Sequence, residues 1–381
     1  MFRAQSVAGV TLLVVGLSTG GCKAVKRMIA ERFAPSASSA KAGDDKGRPA
    51  TEAEAASFAE QLRLAVESNR DLSTLVDSET IITRGFSDLD LPMESAKAAA
   101  DAMSKKFGQT IAFSLKGGGS YRMLANRVVE GERRVKFRLL GSDGAFNYHD
   151  YVVVVRGGSP KAVDIHMLTT GEPISTTLRR TLLPIAAETQ KGLVERLTTK
   201  ESSYVKNLPV IAKLSQFQTN PQAALAAYAS LPDALKTDKN VLMLRVQAAS
   251  MIDEPTYLAA MEDYRKAYPA DASMRVMSID YFYMKKMYKE TLEQVTELER
   301  ATGPDAHLNT LRAGVQAQLG NVQPGRDELK TALELEPDLA EAVNLAIALD
   351  LAAKDEAGAF ATIADARKRK VNLGTVSQNP D

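Results

Sequence analysis

Few side chains in this sequence are suited to chemistry, and they lie far apart. The 381 residues include three histidines, His149, His166 and His307, and one cysteine, Cys22. A metal site needs several such ligands close together, and the HExxH, GxxxxGK[ST] and CxxC patterns are missing. We therefore expect no catalytic residues, no metal and no cofactor, and a protein that is not an enzyme.

His149 is the one residue that could serve as a general base. It lies in the strand-like run 146–156, where period-two alternation places His149, Tyr151 and Val153 on the inward face. In a cone-shaped α+β domain, an imidazole at this place could work in a ligand-binding mouth. A single histidine on an apolar face is more often a packed core residue. Both interpretations stay open, with the core residue favoured.

The glycine-rich run 116–120 resembles a phosphate-binding loop in composition only. It lacks the Lys-Ser/Thr pair that would reach the phosphates, and it stands between two strand-like runs. It therefore predicts a hairpin turn.

Periodicity predicts the elements that position these residues. Between residues 52 and 186, amphipathic helices at 54–68 and 95–107 precede strand-like runs at 111–115, 121–129, 134–140, 146–156 and 161–168. This order predicts an α+β domain with an antiparallel sheet, whose helices cover the face that carries Phe137, Val153, Val163, Ile165 and Met167. It loosely resembles cystatin-like and nuclear-transport-factor-two-like domains. A linker helix is expected over 187–202.

The first 22 residues combine Arg3, an apolar run of about a dozen residues and Cys22. The run is too short to span a bilayer, and Cys22 follows it directly behind Gly20 and Gly21. This segment resembles a bacterial lipoprotein signal peptide, although Thr19 stands where that family usually has leucine. The resemblance implies cleavage before Cys22 and a lipid on its thiol. Ordinary signal cleavage, an uncleaved anchor and a structural thiol are the alternatives.

The residues after Cys22 bear on where the protein is held. Residues 34–51 are small, polar and contain Pro and Gly, so a flexible tether is expected over 23–51. In lipoproteins of some bacteria, Asp after the cysteine retains the protein at the inner membrane. Lys23 therefore favours an outer-membrane anchor that faces the periplasm or the cell surface.

A repeat of about 34 residues organises the C-terminal third of the chain. Residues 306–339 carry Ala313, Gly320, Leu329 and Ala332 at spacings that residues 340–371 largely repeat. Small residues at such spacings allow the two helices of a hairpin to cross closely. Prolines that end the second helices recur at Pro232, Pro269, Pro304 and Pro337. About five hairpins are predicted over 203–371, with a disordered tail over 372–381.

This pattern resembles the tetratricopeptide repeat family, which implies an all-α helical solenoid with a groove for another protein or peptide. In that family the first helix of each hairpin lines the groove. The matching residues of this sequence are Asp280, Tyr283, His307, Thr310, Glu341 and Asn344.

Charge and the two resemblances together predict a class of function. With 48 basic and 47 acidic residues, the chain lacks the excess positive charge of a nucleic-acid-binding protein, so no nucleic acid is expected. The leading hypothesis is a lipid-anchored envelope protein that acts as an adaptor or assembly scaffold. A small-molecule-binding or enzymatic middle domain on a repeat platform, and a scaffold without a groove ligand, are the alternatives.

Overall fold

The computed structural model of the chain describes residues 47–89, 106–142, 144–189, 192–269, 271–371 and 373. The chain forms two compact units, Met1–Pro269 and Ala270–Asp381. Within the described ranges, an antiparallel sheet with helices comes first and a run of helices follows, which confirms the predicted order. The division between the units coincides with neither predicted border, 186 or 203. The predicted signal peptide, most of the tether, most of the helix 95–107 and residues 374–381 lie outside the described residues.

The first described helix, α1 (Glu52–Glu67), begins at a capping residue. The Thr51 hydroxyl accepts a hydrogen bond from the N–H of Glu54, and the Glu54 carboxylate accepts one from the N–H of Thr51. Phe58, Leu62 and Val66 recur every four residues and are buried in the core that α1 forms with the sheet. The helix predicted over 54–68 is therefore confirmed.

The sheet is an antiparallel meander in the order β2-β3-β4-β5-β6, and β1 pairs with β4. Its strands are β1 Arg48–Pro49, β2 Ser120–Val129, β3 Glu132–Leu140, β4 Phe146–Arg156, β5 Ser159–Met167 and β6 Glu172–Pro173. Four of the five predicted strands are confirmed. β1 corrects a prediction, because it lies in the segment expected to be a flexible tether.

The prediction of a strand at 111–115 is wrong, because residues 106–114 are helical. Phe107 and Ile111 lie four residues apart and are both buried, whereas Phe113 is 70% exposed. That is the period of a helix, and an apolar run of five residues is too short to distinguish it from the period of a strand. Gly108 packs closely on Leu72, since a Cβ there would lie 2.9 Å from its Cγ.

The glycine-rich run consequently joins a helix to β2 and does not connect two strands, which corrects the predicted hairpin. Gly117 and Gly118 have φ angles of 82° and 111°. A Cβ on Gly119 would lie 2.3 Å from the carbonyl oxygen of Ser114. Backbone geometry therefore accounts for the three glycines.

A bulge in β5 shifts the inward face of the sheet by one residue. Val152 pairs with Asp164 but Val153 pairs with Ala162, which leaves Val163 as the extra residue. Ala162 therefore packs in the core with Ile165, at the place predicted for Val163.

Besides the helical residues 106–114, the further helices that the structure describes in the first unit are α2 Ser78–Gly85, α3 Ile174–Thr189, α4 Leu193–Arg196, α5 Thr199–Lys206, α6 Leu208–Leu214, α7 Pro221–Ala229, α8 Asp233–Lys236, α9 Lys239–Ser250 and α10 Glu254–Ala267. In place of one linker helix over 187–202, the chain has the end of α3 and then α4 and α5. Gly192, with a φ of 76°, precedes α4.

The described helices of the second unit are α11 Ala272–Met284, α12 Tyr288–Thr302, α13 Ala306–Gln318, α14 Val322–Leu335, α15 Ala340–Ala352 and α16 Glu356–Lys368. They form three hairpins, and α11, α13 and α15 begin 34 residues apart. Pro304 and Pro337 follow the ends of α12 and α14, as predicted.

The turns inside these hairpins repeat in backbone geometry. Lys286, Gly320 and Lys354 each follow the first helix and have φ angles of 56°, 76° and 60°. After each of them, the next N–H donates to the carbonyl five residues earlier, at 2.8–2.9 Å, which is the Schellman arrangement that ends a helix. The 34-residue period is therefore a property of the backbone as well as of the sequence.

Small residues lie where the helices of a hairpin cross. Ala313 and Ala332 are fully buried. A Cβ on Gly325 would lie 2.9 Å from the Cδ1 of Leu349 and 3.3 Å from the carbonyl oxygen of Ala313. These close approaches confirm that small side chains set the distance between α13 and α14.

Candidate functional site

His149 is a core residue of β4 and is 1% exposed. Its Nδ1 lies 3.0 Å from the hydroxyl oxygen of Tyr121, which lies 2.6 Å from the hydroxyl oxygen of Tyr151. On the other side of the ring, the amide nitrogen of Asn147 lies 3.1 Å from Nε2. Both ring nitrogens therefore have partners inside the domain.

The amide of Asn147 fixes the tautomer of His149. The Oδ1 of Asn147 accepts a hydrogen bond from the N–H of Thr169 at 3.1 Å, so its Nδ2 donates to Nε2 of the ring. Nδ1 then carries the ring proton and donates it to the Tyr121 hydroxyl. Burial lowers the pKa of His149 to about 3. The Asn147 amide also disfavours the protonated ring, because a proton on Nε2 would point at an N–H group of that amide.

This geometry does not suit a general base. Such a base needs a lone pair that a substrate proton can reach. The lone pair of His149 Nε2 accepts from Asn147 in the core, and burial also raises the pKa of Tyr121 and of Tyr151. The arrangement favours the interpretation of His149 as a hydrogen-bonded core residue.

The opposite face of the sheet holds buried polar groups whose role is structural. Asp164 is 3% exposed, and its carboxylate accepts hydrogen bonds from the Ser175 hydroxyl at 2.7 Å and from the N–H groups of Ile165 and Ser175. Since Ser175 lies in the first turn of α3, Asp164 ties the start of that helix to β5.

A charged cluster fastens α3 to the helices that follow it. Arg179 pairs with Glu201 at 2.8 Å, and Lys200 pairs with Asp238 at 2.8 Å. These residues line a cavity of about 180 Å³. Because each of these cations already has a carboxylate partner, the cluster is suited to holding α3, α5 and α9 together.

The structure brings two of the predicted groove residues together in the second unit. His307 in α13 and Glu341 in α15 are 34 residues apart, and Nδ1 of His307 is hydrogen-bonded to Oε1 of Glu341. Each is the second residue of its helix. The first helices of two consecutive hairpins therefore lie side by side. The His307 side chain is 1% exposed and that of Glu341 is 30% exposed.

Asn344 lies one turn after Glu341 on α15. Its amide oxygen is buried and has no hydrogen-bond partner within the part of the chain that the structure describes. A buried acceptor without a partner is costly, so a ligand donor would stabilise this oxygen once neighbouring side chains move aside to admit it.

The other predicted groove residues differ in exposure. Thr310 is buried, and its hydroxyl donates to the Ala306 carbonyl at 2.9 Å, so it is used within α13. Asp280 and Tyr283 are half-buried near the end of α11. Burial is the main cause that raises the pKa of Tyr283, and the nearby Tyr288 adds to the effect.

A second groove, which the sequence did not predict, lies between α14 and α15 and has a volume of about 620 Å³. Leu329 and Leu333 supply apolar lining. Arg326 is held at its rim by Asp350 at 2.9 Å and by Asp355 at 2.5 Å. Arg326 comes from α14, Asp350 from α15 and Asp355 from the turn after α15, so no local sequence signal marks this groove.

Cys22, the predicted lipidation site, lies outside the described residues. None of the helices that the structure describes is long and apolar enough to cross a membrane.

Comparison of the chain with protein-family models, with curated protein sequences and with solved structures finds no match.

Proposed function

We propose that this chain is an adaptor of the bacterial envelope, which binds another protein through helical hairpins that resemble tetratricopeptide repeats. The observation that supports this most is the pair formed by His307 and Glu341, which joins the first helices of two hairpins at a spacing of 34 residues. First helices that lie side by side form the concave binding surface of helical repeat arrays.

The proposed ligand is an extended segment of the partner protein. Asn344 offers a buried amide oxygen that has no partner within the described residues, and an extended peptide presents backbone N–H groups that suit such acceptors. Glu341, whose side chain is 30% exposed beside His307, adds a carboxylate, and the half-buried Tyr283 adds an aromatic ring. This combination favours a segment that contains Lys or Arg, because carboxylates and aromatic faces both attract cations.

We place the adaptor at the outer membrane, held by a lipid on Cys22. The support is the sequence alone, in which the sole cysteine directly follows a short apolar run and Lys23 comes next. One lipid chain binds membranes only reversibly, and stable anchoring requires the several acyl chains of a lipoprotein.

An enzymatic middle domain is the weaker candidate. Its only nominated base, His149, has its lone pair occupied by Asn147 in the core.

Partner capture from envelope membranes tests the proposal when groove variants are included. We expect Asn344→Ala and Tyr283→Ala each to weaken capture about tenfold, since central groove contacts contribute roughly 1–2 kcal/mol. Lys289→Ala, at an exposed residue of the second helix α12, serves as the control and should leave capture unchanged. A partner that binds all three variants like the wild type would place the binding site elsewhere.

A further inference from the structure

The last described helix, α16, has an apolar face turned to solvent. Phe360 is 70% exposed. Ala357, Ala361 and Ala364 are exposed beside it at helical spacing. The buried Ala359 belongs to the core cluster that α16 shares with α15. The exposed residues therefore form a second stripe on the helix, separate from the one that packs on α15.

The equivalent face of α14 is charged. Thirty-four residues before the exposed Phe360, Ala361 and Ala364 stand three ionic residues, Arg326, Asp327 and Lys330. The outermost helix of a repeat array needs a polar outer face, because an exposed apolar face there lowers solubility. The exchange of charged for apolar residues on α16 therefore indicates that another surface covers this helix.

We propose that the covering surface is α16 of a second copy of this chain, packed antiparallel. The charges of the helix favour this occupant, because Glu356 lies in its first turn and Arg367 and Lys368 lie in its last. In an antiparallel pair, each acidic first turn lies beside the basic last turn of the second copy. The helix dipoles then also oppose each other, whereas a parallel pair would place like charges together.

The same arrangement fits the sizes of the side chains. When Glu356 faces Lys368 of the second copy, Phe360 faces Ala364, and the contact is made twice about the two-fold axis. A large side chain then packs over a small one, and alanines let the helix axes approach to about 8 Å. Ala361 lies next to the two-fold axis. Measured along the helix axis at about 1.5 Å per residue, Ala357 lies roughly 15 Å from Ala357 of the second copy.

The dimer should be weak and dependent on concentration. A pair of helices of this length, each about 20 Å long, buries less area than the ~1,200 Å² of a stable interface. We therefore expect dissociation in the micromolar range, and attachment to one membrane would raise the effective concentration.

Disulfide cross-linking tests both the contact and its direction. The full chain with Cys22→Ser has no other thiol. Into this background, purified in detergent, a single cysteine is introduced as Ala361→Cys, Ala357→Cys or, as the matched control on α14, Lys330→Cys. On mild oxidation we expect a disulfide-linked dimer from Ala361→Cys only. Adding Phe360→Glu should reduce its yield at least tenfold.

Each other outcome overturns the proposal. Equal cross-linking from Ala361→Cys and Ala357→Cys would require a parallel pair. No dimer from Ala361→Cys at about 100 µM protein, well above the micromolar dissociation constant expected of a small interface, would exclude the contact. Sedimentation velocity of the Cys22→Ser chain gives an independent measure, because its dimer fraction should rise with concentration and disappear with Phe360→Glu. Circular dichroism checks that this variant remains folded, as expected for a residue that is 70% exposed.

Discussion

At the scale of single residues, His149 owes its place to hydrogen bonds made inside the core. Removing the ring takes away one hydrogen-bond partner from Tyr121 and one from Asn147, both in a buried site. We expect His149→Gln to lower the free energy of unfolding by about 1–3 kcal/mol, as measured by chemical denaturation. His166→Gln is the control, because this histidine is half-buried and should cost less. If His149→Gln lost a small-molecule activity without losing stability, the role of His149 as a core residue would be contradicted.

The low pKa of His149 makes stability depend on pH. The unfolded chain binds a proton at the ordinary pKa of 6.5, whereas the folded chain binds it only near pH 3. The unfolded state therefore holds more protons in this window, and stability is lost as the pH falls from 6.5 toward 3, by up to about 1.4 kcal/mol per pH unit. His149→Gln should lack this part of the slope. Identical slopes in both proteins would contradict the assignment.

Alternation along β4 was enough to predict that His149, Tyr151 and Val153 face the core. The partners of His149 could not be predicted in the same way. Tyr121 is 28 residues away, on β2, and its approach depends on the register of two intervening strand pairs. Local periodicity contains no information on that register.

At the scale of elements, we expect glycine substitutions in the turns of the hairpins to raise stability. Lys286 and Lys354 adopt the left-handed backbone conformation that Gly320 adopts at the equivalent position of its own hairpin. We expect Lys286→Gly and Lys354→Gly each to stabilise the chain by about 0.5–1 kcal/mol, because glycine adopts positive φ without strain. Gly320→Ala should destabilise it by a similar amount. Thermal melting compares the three variants, and a loss of stability in both Lys→Gly variants would contradict the proposed equivalence.

Close crossing of the helices gives a second prediction at this scale. Ala332 is fully buried in α14, and Ala332→Leu should cost about 1–3 kcal/mol through overpacking. Ala348→Leu adds the same atoms at an exposed position of α15 and is the control. Denaturant unfolding gives the free energy of unfolding of both variants. A difference between them of less than about 0.5 kcal/mol would mean that Ala332 is not at a tight contact.

Elements were predicted best where the period is long and unbroken. The 34-residue spacing gave the hairpins, and alternation gave β2 to β5. Residues 111–115 were assigned wrongly because five apolar residues fit either period. The bulge at Val163 was missed because an extra residue in a strand leaves no local mark in the sequence.

At the scale of the whole molecule, we propose that attachment to the membrane depends on Cys22. We expect Cys22→Ser to move the protein from the membrane fraction to the soluble fraction, because the lipid would be the anchor. Incorporation of a fatty-acid probe into the wild type but not into the variant measures the modification directly. A wild-type protein that takes up no probe would rule out lipidation.

We propose that the first helices of the hairpins bind the partner, and photo-cross-linking in living cells tests this contact at single residues. A photoreactive residue is placed at Asn344, at Tyr283 or, as the control, at the exposed Lys289 of α12. We expect the same heavier adduct from Asn344 and from Tyr283, and none from Lys289. No adduct from the first two positions, or an equal adduct from all three, would contradict binding through this surface.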